Sequence, residues 1–259
     1  MCKPLYFSEL NYVINPWMKP GTINESATMS EWWKLVDIYK KLAIQVEIID
    51  QAHGVPDMVF ATDQGIVRGN HVLLSRFWYD ERKKESVYYE QWFEKNSYKI
   101  TYLPSGVYFE GNGDSCFWHD KLLIGLGFRA DDYTCQAVGK LLDIEVVPLE
   151  ITDPKFYHLD VGFFPLNDDT AFYYPKAFSA QSREVLQKLI PNLLELTKEE
   201  ANGFCANSIV TGNTVIHQKG NIPFNHKLKE LGYNSLEVDM SEFMKSGGGI
   251  HCLTNILEV

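Results

Sequence analysis

Apolar and polar positions repeat four times in one arrangement: a polar stretch, an apolar run, a short turn and a second apolar run. The turns fall at Gly69-Asn70, His119-Asp120, Asn167 to Asp169 and Gly212-Asn213. Apolar runs joined by turn-forming residues are typical of β-hairpins. We therefore predict four hairpins, and a fifth in which GGGIHCLTNILEV, at the C-terminus, pairs with the N-terminal LYFSELNYVI.

Between the hairpins the pattern predicts a helix followed by one more strand. In EWWKLVDIYKKL the apolar residues recur with helical spacing, Thr28 and Glu31 have the form of a capping box, and the strand IQVEIID follows. The same order recurs in YYEQWFEKN then YKITYLP, QAVGKLL then IEVVPLE, REVLQKLI then LLELT, and HKLKELG then NSLEVDM.

The chain therefore contains five similar units, each with a helix, a strand and a hairpin. The equivalent positions Asp63, Asp114, Asp160, Asn207 and Cys252 are separated by 51, 46, 47 and 45 residues. A repeat of this period is typical of stacked or ringed units. We predict an α/β fold, a five-bladed α/β propeller with pseudo-fivefold repeats, in one domain spanning residues 1–259. A two-domain α/β protein is the alternative.

Composition limits the classes of partner. The formal net charge of −10 argues against nucleic acid and anionic membranes and is compatible with a cationic ligand. No run of about 18 apolar residues predicts a membrane span, and the N-terminus lacks a signal-peptide layout. The five cysteines show no CxxC spacing, which argues against a disulfide framework or a structural zinc. We expect a reducing compartment, the cytoplasm, and no cofactor or catalytic metal.

Chemically useful side chains fall at one phase of the repeat, at or near the start of each hairpin. They are Asp57, Asp63, Glu110, Asp114, His158, Asp160 and Cys252. In a ring, equivalent positions meet around the axis, so a cysteine nucleophile, a histidine acid/base and several carboxylates would share one pocket. Crowded carboxylates favour a cationic substrate, and a guanidinium pairs well with carboxylates. Arg82 and Arg129 follow the same hairpins and could bind the carboxylate of an amino acid.

The segments NYVINPWM, PDMVFATD, SRFWYDERKKE, FEGNGD, GLGFR, FYHLD and GGGIHCLT, in this order, resemble the guanidino-group modifying superfamily, the penteins. The resemblance implies a five-bladed α/β propeller. It also implies a hydrolase or transferase related to arginine deiminase, dimethylargininase, the amidinotransferases and the arginine dihydrolases. The residues of these segments are most similar to those of the arginine dihydrolases, and the chain length is similar to that of dimethylargininase.

The resemblance also implies roles for particular residues. Cys252 matches the nucleophile, His158 the general acid/base and Glu110 the acid that holds the histidine. Asp63 and Asp160 match the pair that grips the guanidinium. The remaining matches are to positions that bind the amino-acid end or lie in a substrate-facing loop: Asp57, Arg82, Arg129, Asn15 and Ser246.

Two departures bear on the substrate. The arginine dihydrolases carry asparagine where this chain has Asp63, and dimethylargininases usually lack an acid at the position of Asp160. We therefore expect hydrolysis of free L-arginine or an N-methylated arginine to citrulline plus ammonia or an alkylamine, with an unmethylated guanidine favoured. An arginine dihydrolase giving ornithine, an amidinotransferase and a non-enzymatic binding propeller are the alternatives. A homodimer is one possible oligomeric state.

Three further expectations concern the ends of these motifs. Since neighbours in a strand point to opposite faces, His251 is assigned to structure rather than to catalysis. Asp114 is expected to hold the GNGD turn through its side chain. The glycines before Cys252 are expected to let the loop fit around the substrate and position the thiol.

Overall fold

The computed structural model describes residues 1–257, in which the strands form five small sheets. Four sheets have three strands each, in the orders β3-β4-β5, β6-β7-β8, β11-β10-β9 and β12-β13-β14. The fifth pairs β1 with β2. The strands are β1 (Cys2–Lys3), β2 (Ile49–Asp50), β3 (Gly65–Arg68), β4 (His71–Leu74), β5 (Lys99–Tyr102), β6 (Ser115–Trp118), β7 (Lys121–Leu126), β8 (Glu145–Glu150), β9 (Phe163–Asn167), β10 (Thr170–Tyr173), β11 (Asn192–Glu195), β12 (Ile209–Thr211), β13 (Thr214–Gln218) and β14 (Asn234–Val238).

Each three-stranded sheet is built in the same way. An antiparallel hairpin comes first along the chain. Its second strand also pairs in parallel with a strand that follows a helix. The four predicted hairpins are confirmed, and so are four of the five strands predicted after the helices. Of the remaining one, IQVEIID, only Ile49–Asp50 is a strand. In the first hairpin Arg68 lies opposite His71, so Gly69 and Asn70 form the turn, and Gly69 has a φ of 56°.

The five predicted helices are also confirmed, and each begins before the predicted first residue. Short helical turns precede three of the hairpins. The helices are α1 (Glu25–Lys41), α2 (Asp80–Lys83), α3 (Glu85–Lys95), α4 (Gly111–Asp114), α5 (Asp132–Leu142), α6 (Leu159–Gly162), α7 (Ala180–Leu189), α8 (Lys198–Asn202), α9 (Ile222–Glu230) and α10 (Ser241–Met244), with 3-10 turns at Phe7–Glu9, Pro56–Val59, Ala61–Gln64, Pro154–Phe156 and Pro175–Ala177.

The fifth hairpin prediction is wrong within the described residues. Residues 250–253 form a turn, and residues 5–14 contain a 3-10 turn rather than a strand. The N-terminal β1 instead pairs in parallel with β2, Cys2 opposite Ile49. The last two residues of the predicted strand lie outside the described residues. Hydrophobicity alone did not separate a strand from a buried turn, because both bury the same apolar residues.

The predicted capping box is also wrong. Helix α1 begins earlier, and Asn24 caps it by accepting a hydrogen bond from the Ala27 N–H. Glu31 reaches another element and accepts hydrogen bonds from Ser241 Oγ and the Glu242 N–H. A carboxylate at a helix start satisfies otherwise unpaired N–H groups, so Glu31 ties α1 to α10.

Aromatic and aliphatic side chains fill the space between the sheets and their helices. Trp32, Leu35, Val36 and Tyr39 of α1 are buried at helical spacing, as the sequence predicts. The largest apolar cluster includes Phe163, Phe172 and Phe224 from the third and fourth hairpin units. In residues 1–257, no helix combines the length and the apolar character that a membrane crossing requires.

Candidate active site

The predicted reactive residues lie in turns that immediately precede a hairpin. Asp63 lies in the 3-10 turn before β3, Asp114 ends α4 before β6, and Asp160 lies in α6 before β9. Asn207 occupies the equivalent bend before β12. A short helical turn directs its side chains inward just before the chain enters the sheet, and this places residues distant in sequence in contact.

The thiol of Cys252 is buried against two side chains from other units. Its Sγ lies 3.1 Å from Asp160 Oδ2 and 3.0 Å from Asn207 Nδ2. Burial, with the nearby carboxyls of Asp160 and Asp63, raises the pKa of the Cys252 thiol well above its usual value. The free protein therefore holds a neutral thiol near neutral pH, and a cation bound beside it would be required to lower that pKa.

His158 is held from one side and faces the site from the other. Its Nε2 lies 2.9 Å from Glu110 Oε2, and its Nδ1 lies 3.6 Å from Asp63 Oδ1. Burial opposes the charged ring, but Asp63 and the hydrogen bond to Glu110 outweigh it and raise the pKa of His158 to about 9. Glu110 is buried, yet Arg129 and His158 lower its pKa to about 2. An imidazolium held on a carboxylate is suited to act as a general acid.

Two carboxyl oxygens lie in the site without a hydrogen-bond partner in the described residues. Asp63 Oδ1 and Asp160 Oδ1 are buried and accept no hydrogen bond from the part of the chain that the structure describes. Burial raises the pKa of Asp63, against the opposing charges of His158 and Arg82. Because an unpaired buried acceptor is costly, the pair indicates a missing donor ligand.

Arg82 is committed to other side chains. Its Nη1 lies 2.7 Å from Asp63 Oδ2, Nε and Nη2 bind Glu85, and Nη2 also donates to the Asp57 carbonyl oxygen. Every guanidinium nitrogen is thus occupied, and Arg82 anchors Asp63. The predicted contact of Arg82 with a substrate carboxylate stays a prediction, and only the second N–H of Nη1 is left for it by these four hydrogen bonds.

Arg129 retains donors. Its guanidinium lies between the rings of Tyr79 and Tyr157, 4.3 Å and 4.8 Å from their centroids, and Nη2 donates to the Ile14 carbonyl oxygen. Its Nε is buried, makes no hydrogen bond within residues 1–257 and lies 3.6 Å from Glu110 Oε2, an ion pair. Stacking fixes the plane of the fork, so Arg129 is the better placed of the two arginines to bind a planar anion.

Asp57, Asn15 and Ser246 form one hydrogen-bonded group. Ser246 Oγ donates to Asp57 Oδ1 and Tyr12 Oη donates to Asp57 Oδ2, at 2.8 Å and 2.9 Å. Asn15 Nδ2 donates to the Ser246 carbonyl oxygen. Their predicted contacts with the amino-acid end of a substrate remain predictions. The contacts join the N-terminal loop to the segment before Cys252.

The three glycines before Cys252 are required by close packing. A Cβ on Gly248 would lie 2.3 Å from the Phe60 ring, and one on Gly249 would lie 2.9 Å from Asn207 Oδ1. Gly247 has a φ of 89°, and Tyr157 Oη donates to its carbonyl oxygen. The segment is therefore closely packed against the site, and this packing sets the position of the Cys252 thiol.

The sequence analysis did not identify two residues that contact Asp160. Asn207 was recognised only by its position in the repeat, yet its amide binds both Asp160 and Cys252. The strand on which the assignment of His251 depended is wrong, because residues 250–253 form a turn. In this turn His251 Nδ1 lies 2.9 Å from Asp160 Oδ2. Its place beside Cys252 was the only signal, and strand alternation concealed it.

Asp114 holds its own turn, as predicted. Its Oδ2 accepts a hydrogen bond from the Glu110 N–H at 2.7 Å, and burial raises its pKa to about 7. Its Oδ1 lies 3.9 Å from His158 Nε2, behind the Glu110 contact. Among residues 1–257, no group of three or more histidine, cysteine, aspartate or glutamate side chains has a metal-binding arrangement.

Comparison with known sequences gives a matching family profile and several similar proteins. Residues 7–258 match the family profile described as "N,N dimethylarginine dimethylhydrolase, eukaryotic". The chain is 39% identical, over 98% of its length, to the bifunctional arginine dihydrolase/ornithine cyclodeaminase ArgZ of Synechocystis sp., and covers 37% of that relative. It is 32% identical to the N(G),N(G)-dimethylarginine dimethylaminohydrolase of Mycobacterium tuberculosis, covering 98% of this chain and 83% of that one. The chain thus spans about a third of the cyanobacterial relatives.

Solved structures show the same fold. The N-terminal domain of ArgZ, in a substrate-bound variant, superimposes with a TM-score of 0.95 at 36% identity, covering 100% of this chain and 97% of that one. A dimethylarginine dimethylaminohydrolase adduct superimposes with a TM-score of 0.84 at 19% identity, covering 97% and 96%, and supports the fold alone. This protein has the fold of the pentein-type guanidino-modifying enzymes. It belongs to the dimethylarginine dimethylaminohydrolase family.

Gly113 is expected to be indispensable for the geometry of the site. A Cβ there would lie 2.3 Å from Asp63 Oδ1 and 2.8 Å from His158 Nδ1. We expect Gly113→Ala to lower kcat/KM at least about 10-fold and to destabilise the fold by about 1–3 kcal/mol, as overpacking does. Steady-state kinetics and thermal unfolding measure both effects.

The matched control is Gly162→Ala in α6, the equivalent turn of the next unit. Its Cβ would meet only the Ala177 Cβ, at 3.3 Å, and the Phe178 ring, at 3.5 Å, away from the site. Equal losses of kcat/KM in the two variants would show that the effect of Gly113→Ala is general destabilisation.

Proposed function

We propose that this protein hydrolyses a guanidine C–N bond of free L-arginine or an N-methylated arginine through a covalent intermediate on Cys252, giving citrulline and ammonia or an alkylamine. The two unpartnered oxygens, Asp63 Oδ1 and Asp160 Oδ1, carry the proposal. A guanidinium is a planar cation with N–H donors on each terminal nitrogen, so one ligand can satisfy both carboxyls.

The surroundings of this pair support the same substrate class. His158 lies beside Asp63, and the Cys252 thiol lies beside Asp160, so the guanidinium carbon would be bracketed by an acid and a nucleophile. The terminal nitrogens of Arg129, of which Nη2 donates to the Ile14 carbonyl oxygen, would bind the carboxylate of the amino acid. The group formed by Asp57, Ser246 and Asn15 would face its ammonium.

The first chemical step would form the carbon–sulfur bond. The bound cation lowers the pKa of the Cys252 thiol, the thiol releases its proton to solvent, and the thiolate attacks the guanidinium carbon. His158 donates its Nδ1 proton to the departing nitrogen. The carbon–nitrogen bond breaks, ammonia or an alkylamine leaves, and an S-alkylthiouronium remains on Cys252.

The second step would return the enzyme to its starting state. His158, now neutral, accepts a proton from a water molecule that attacks the thiouronium carbon. The carbon–sulfur bond breaks, the remaining hydroxyl proton passes to the departing thiolate, and the neutral ureido product leaves the regenerated thiol. Glu110 keeps the imidazole ring oriented in both steps through its 2.9 Å bond to Nε2.

Asp63 supports a reaction that stops after one nitrogen. A guanidinium presents only donors to Asp63, but a ureido product carries a carbonyl oxygen that a carboxylate repels. An asparagine could donate to that oxygen and retain the product for a second hydrolysis. The identity to ArgZ, 39%, favours arginine dihydrolysis to ornithine as the second candidate.

We therefore expect the native protein to release one ammonia per ureido product from arginine, and Asp63→Asn to raise the ratio of ammonia to ureido product above one. The same variant should lower kcat/KM for arginine at least about 10-fold, since it loses a buried charge partner of the cation. Parallel assays of ammonia, citrulline and ornithine measure this. A native protein that yields ornithine with two ammonia would establish the dihydrolase alternative.

The substrate panel is arginine, monomethylarginine, dimethylarginine and arginine with glycine. A dimethylated nitrogen has no N–H to offer a carboxylate, so both Asp63 and Asp160 favour the unmethylated guanidine. We expect the highest kcat/KM on arginine. A guanidino acid formed from glycine, without net ureido product, would identify an amidinotransferase, and no turnover of any member would contradict the proposal.

We also propose an overall architecture, a domain organisation and a compartment for this protein. The five sheets would form one closed five-bladed α/β propeller and one catalytic domain, which the meeting of residues from all the repeated units at the site supports. The five free cysteines support function in a reducing compartment, the cytoplasm. A homodimer remains a prediction.

A further inference from the structure

Three groups converge on one oxygen of Asp160. Its Oδ2 lies 3.1 Å from Cys252 Sγ, 2.9 Å from Asn207 Nδ2 and 2.9 Å from His251 Nδ1. Because a carboxylate only accepts, Nδ1 of His251 carries the hydrogen. The other oxygen of Asp160, Oδ1, has no partner in the described residues. The two oxygens of one carboxylate are therefore used differently.

We propose that His251 is a positioning residue for Asp160, which holds Oδ2 so that Oδ1 stays directed to the substrate and draws the charge of Asp160 away from the Cys252 sulfur. This inference rests on the proposed function in one respect, the binding of the guanidinium by Asp160. His251 would touch neither the substrate nor the sulfur and would act only through the carboxylate.

The need for a separate donor arises when the thiol ionises. The thiol hydrogen that now points to Oδ2 is lost, and two negative atoms then lie about 3 Å apart and repel each other. Asn207 Nδ2 lies within hydrogen-bonding distance of both atoms, so its two hydrogens are divided between them. His251 bonds only to the carboxylate, and without it the carboxylate would be free to rotate away from the sulfur.

The surroundings of His251 make this bond testable. Its side chain is 23% exposed and borders a cavity of about 120 Å³ together with Asp160, Asn112 and Ser115. The titratable groups around the Asp160–thiol pair are Asp63 and Tyr157, and Cys116 borders the same cavity. Truncating a partly exposed ring beside a cavity removes the hydrogen bond without emptying a core site.

The first measurement needs no substrate. Alkylation of Cys252 by iodoacetamide, followed by peptide mass spectrometry across pH, reports ionisation of the thiol. We expect the profile of His251→Ala to lie about one pH unit higher than that of the native protein, which is about a 10-fold slower reaction at a fixed pH below the midpoint. His251→Asn, which keeps a donor at the position of Nδ1, should react within about 2-fold of the native protein.

The second measurement is turnover. We expect His251→Ala to raise KM for the guanidino substrate and lower kcat, each several-fold, with His251→Asn restoring most of both. His226→Ala, the same change at an exposed position on α9, is the control and should match the native protein in both assays.

An unchanged alkylation profile in His251→Ala would overturn the inference, even if turnover fell, because a merely structural role predicts that result. Failure of the Asn variant to restore the profile would overturn it as well. If no guanidine is turned over but the profile shifts as expected, the proposed function fails while the positioning of Asp160 stands. If His251→Ala does not fold, the profile of His251→Asn decides, and a displaced profile there overturns the inference.

Discussion

Replacement of Cys252 by serine is expected to lower kcat for a guanidino substrate by at least about 10⁴-fold, the scale of losing a catalytic nucleophile. A bound cation can bring a thiol within reach of ionisation at neutral pH, but a hydroxyl is far less acidic. The nearest acceptor for that hydroxyl would be Asp160 Oδ2, which is already bonded to Asn207 and His251. No base in the site is placed to activate an alcohol, so the residual rate should be close to background.

Substrate binding separates this outcome from misfolding. The serine variant retains Asp63, Asp160 and Arg129, so arginine should still bind, and calorimetry should detect it with an affinity within about 10-fold of the native KM. Cys135→Ser, the same change on α5 at a partly buried position away from the thiol site, should keep full activity. Residual turnover above a few per cent in Cys252→Ser would remove the thiol from the mechanism.

The repeated part of the fold was predictable because each unit uses local signals. The turn at Gly69-Asn70, with a positive φ at the glycine, and the helical spacing of Trp32 to Tyr39 follow from residue type and periodicity alone. The fifth unit was not predictable in the same way. Its strands have two residues each, and β1 and β2 are 45 residues apart, so no local pattern specifies that they pair.

The same distinction applies to the site: repeat spacing predicts some of its residues, and tertiary packing determines the contacts of the others. Repeat spacing brought Asp63, Asp160, Asn207 and Cys252 to equivalent positions. The structure joins the last three by hydrogen bonds, and the Asp63 carboxyl is near enough to help raise the pKa of the Cys252 thiol. Spacing could not predict that Arg82 would bond through every nitrogen, because those partners depend on how α2 and α3 pack against the turns at residues 56–64. It also could not predict His251, whose direction depends on whether its segment is a strand or a turn.

His158→Asn is the second substitution for which a large effect is expected. It removes an imidazole that contacts both Glu110 and Asp63 and should lower kcat for arginine by about 10²–10⁴-fold, the usual contribution of a general acid/base. Since the pKa of His158 is about 9, the native protein should also lose its acid form, and therefore kcat/KM, as pH rises through that value, while His158→Asn should show no such limb.

The loss in His158→Asn should divide between the two steps according to the leaving group. S-methyl-L-thiocitrulline carries a sulfur leaving group that departs with little need of a proton, so Cys252 should still be alkylated by it at a measurable rate. Hydrolysis of the thiouronium still needs a base to deprotonate water, and that base is absent. We expect one equivalent of methanethiol per enzyme, followed by a stable covalent adduct seen by intact-protein mass spectrometry.

The control is His119→Asn, the same change in an exposed hairpin turn with a φ of 52° that asparagine tolerates. This variant should turn over normally. Steady turnover of the thiocitrulline by His158→Asn, with no adduct, would show that another group deprotonates the water, and the double role assigned to His158 would then be incorrect.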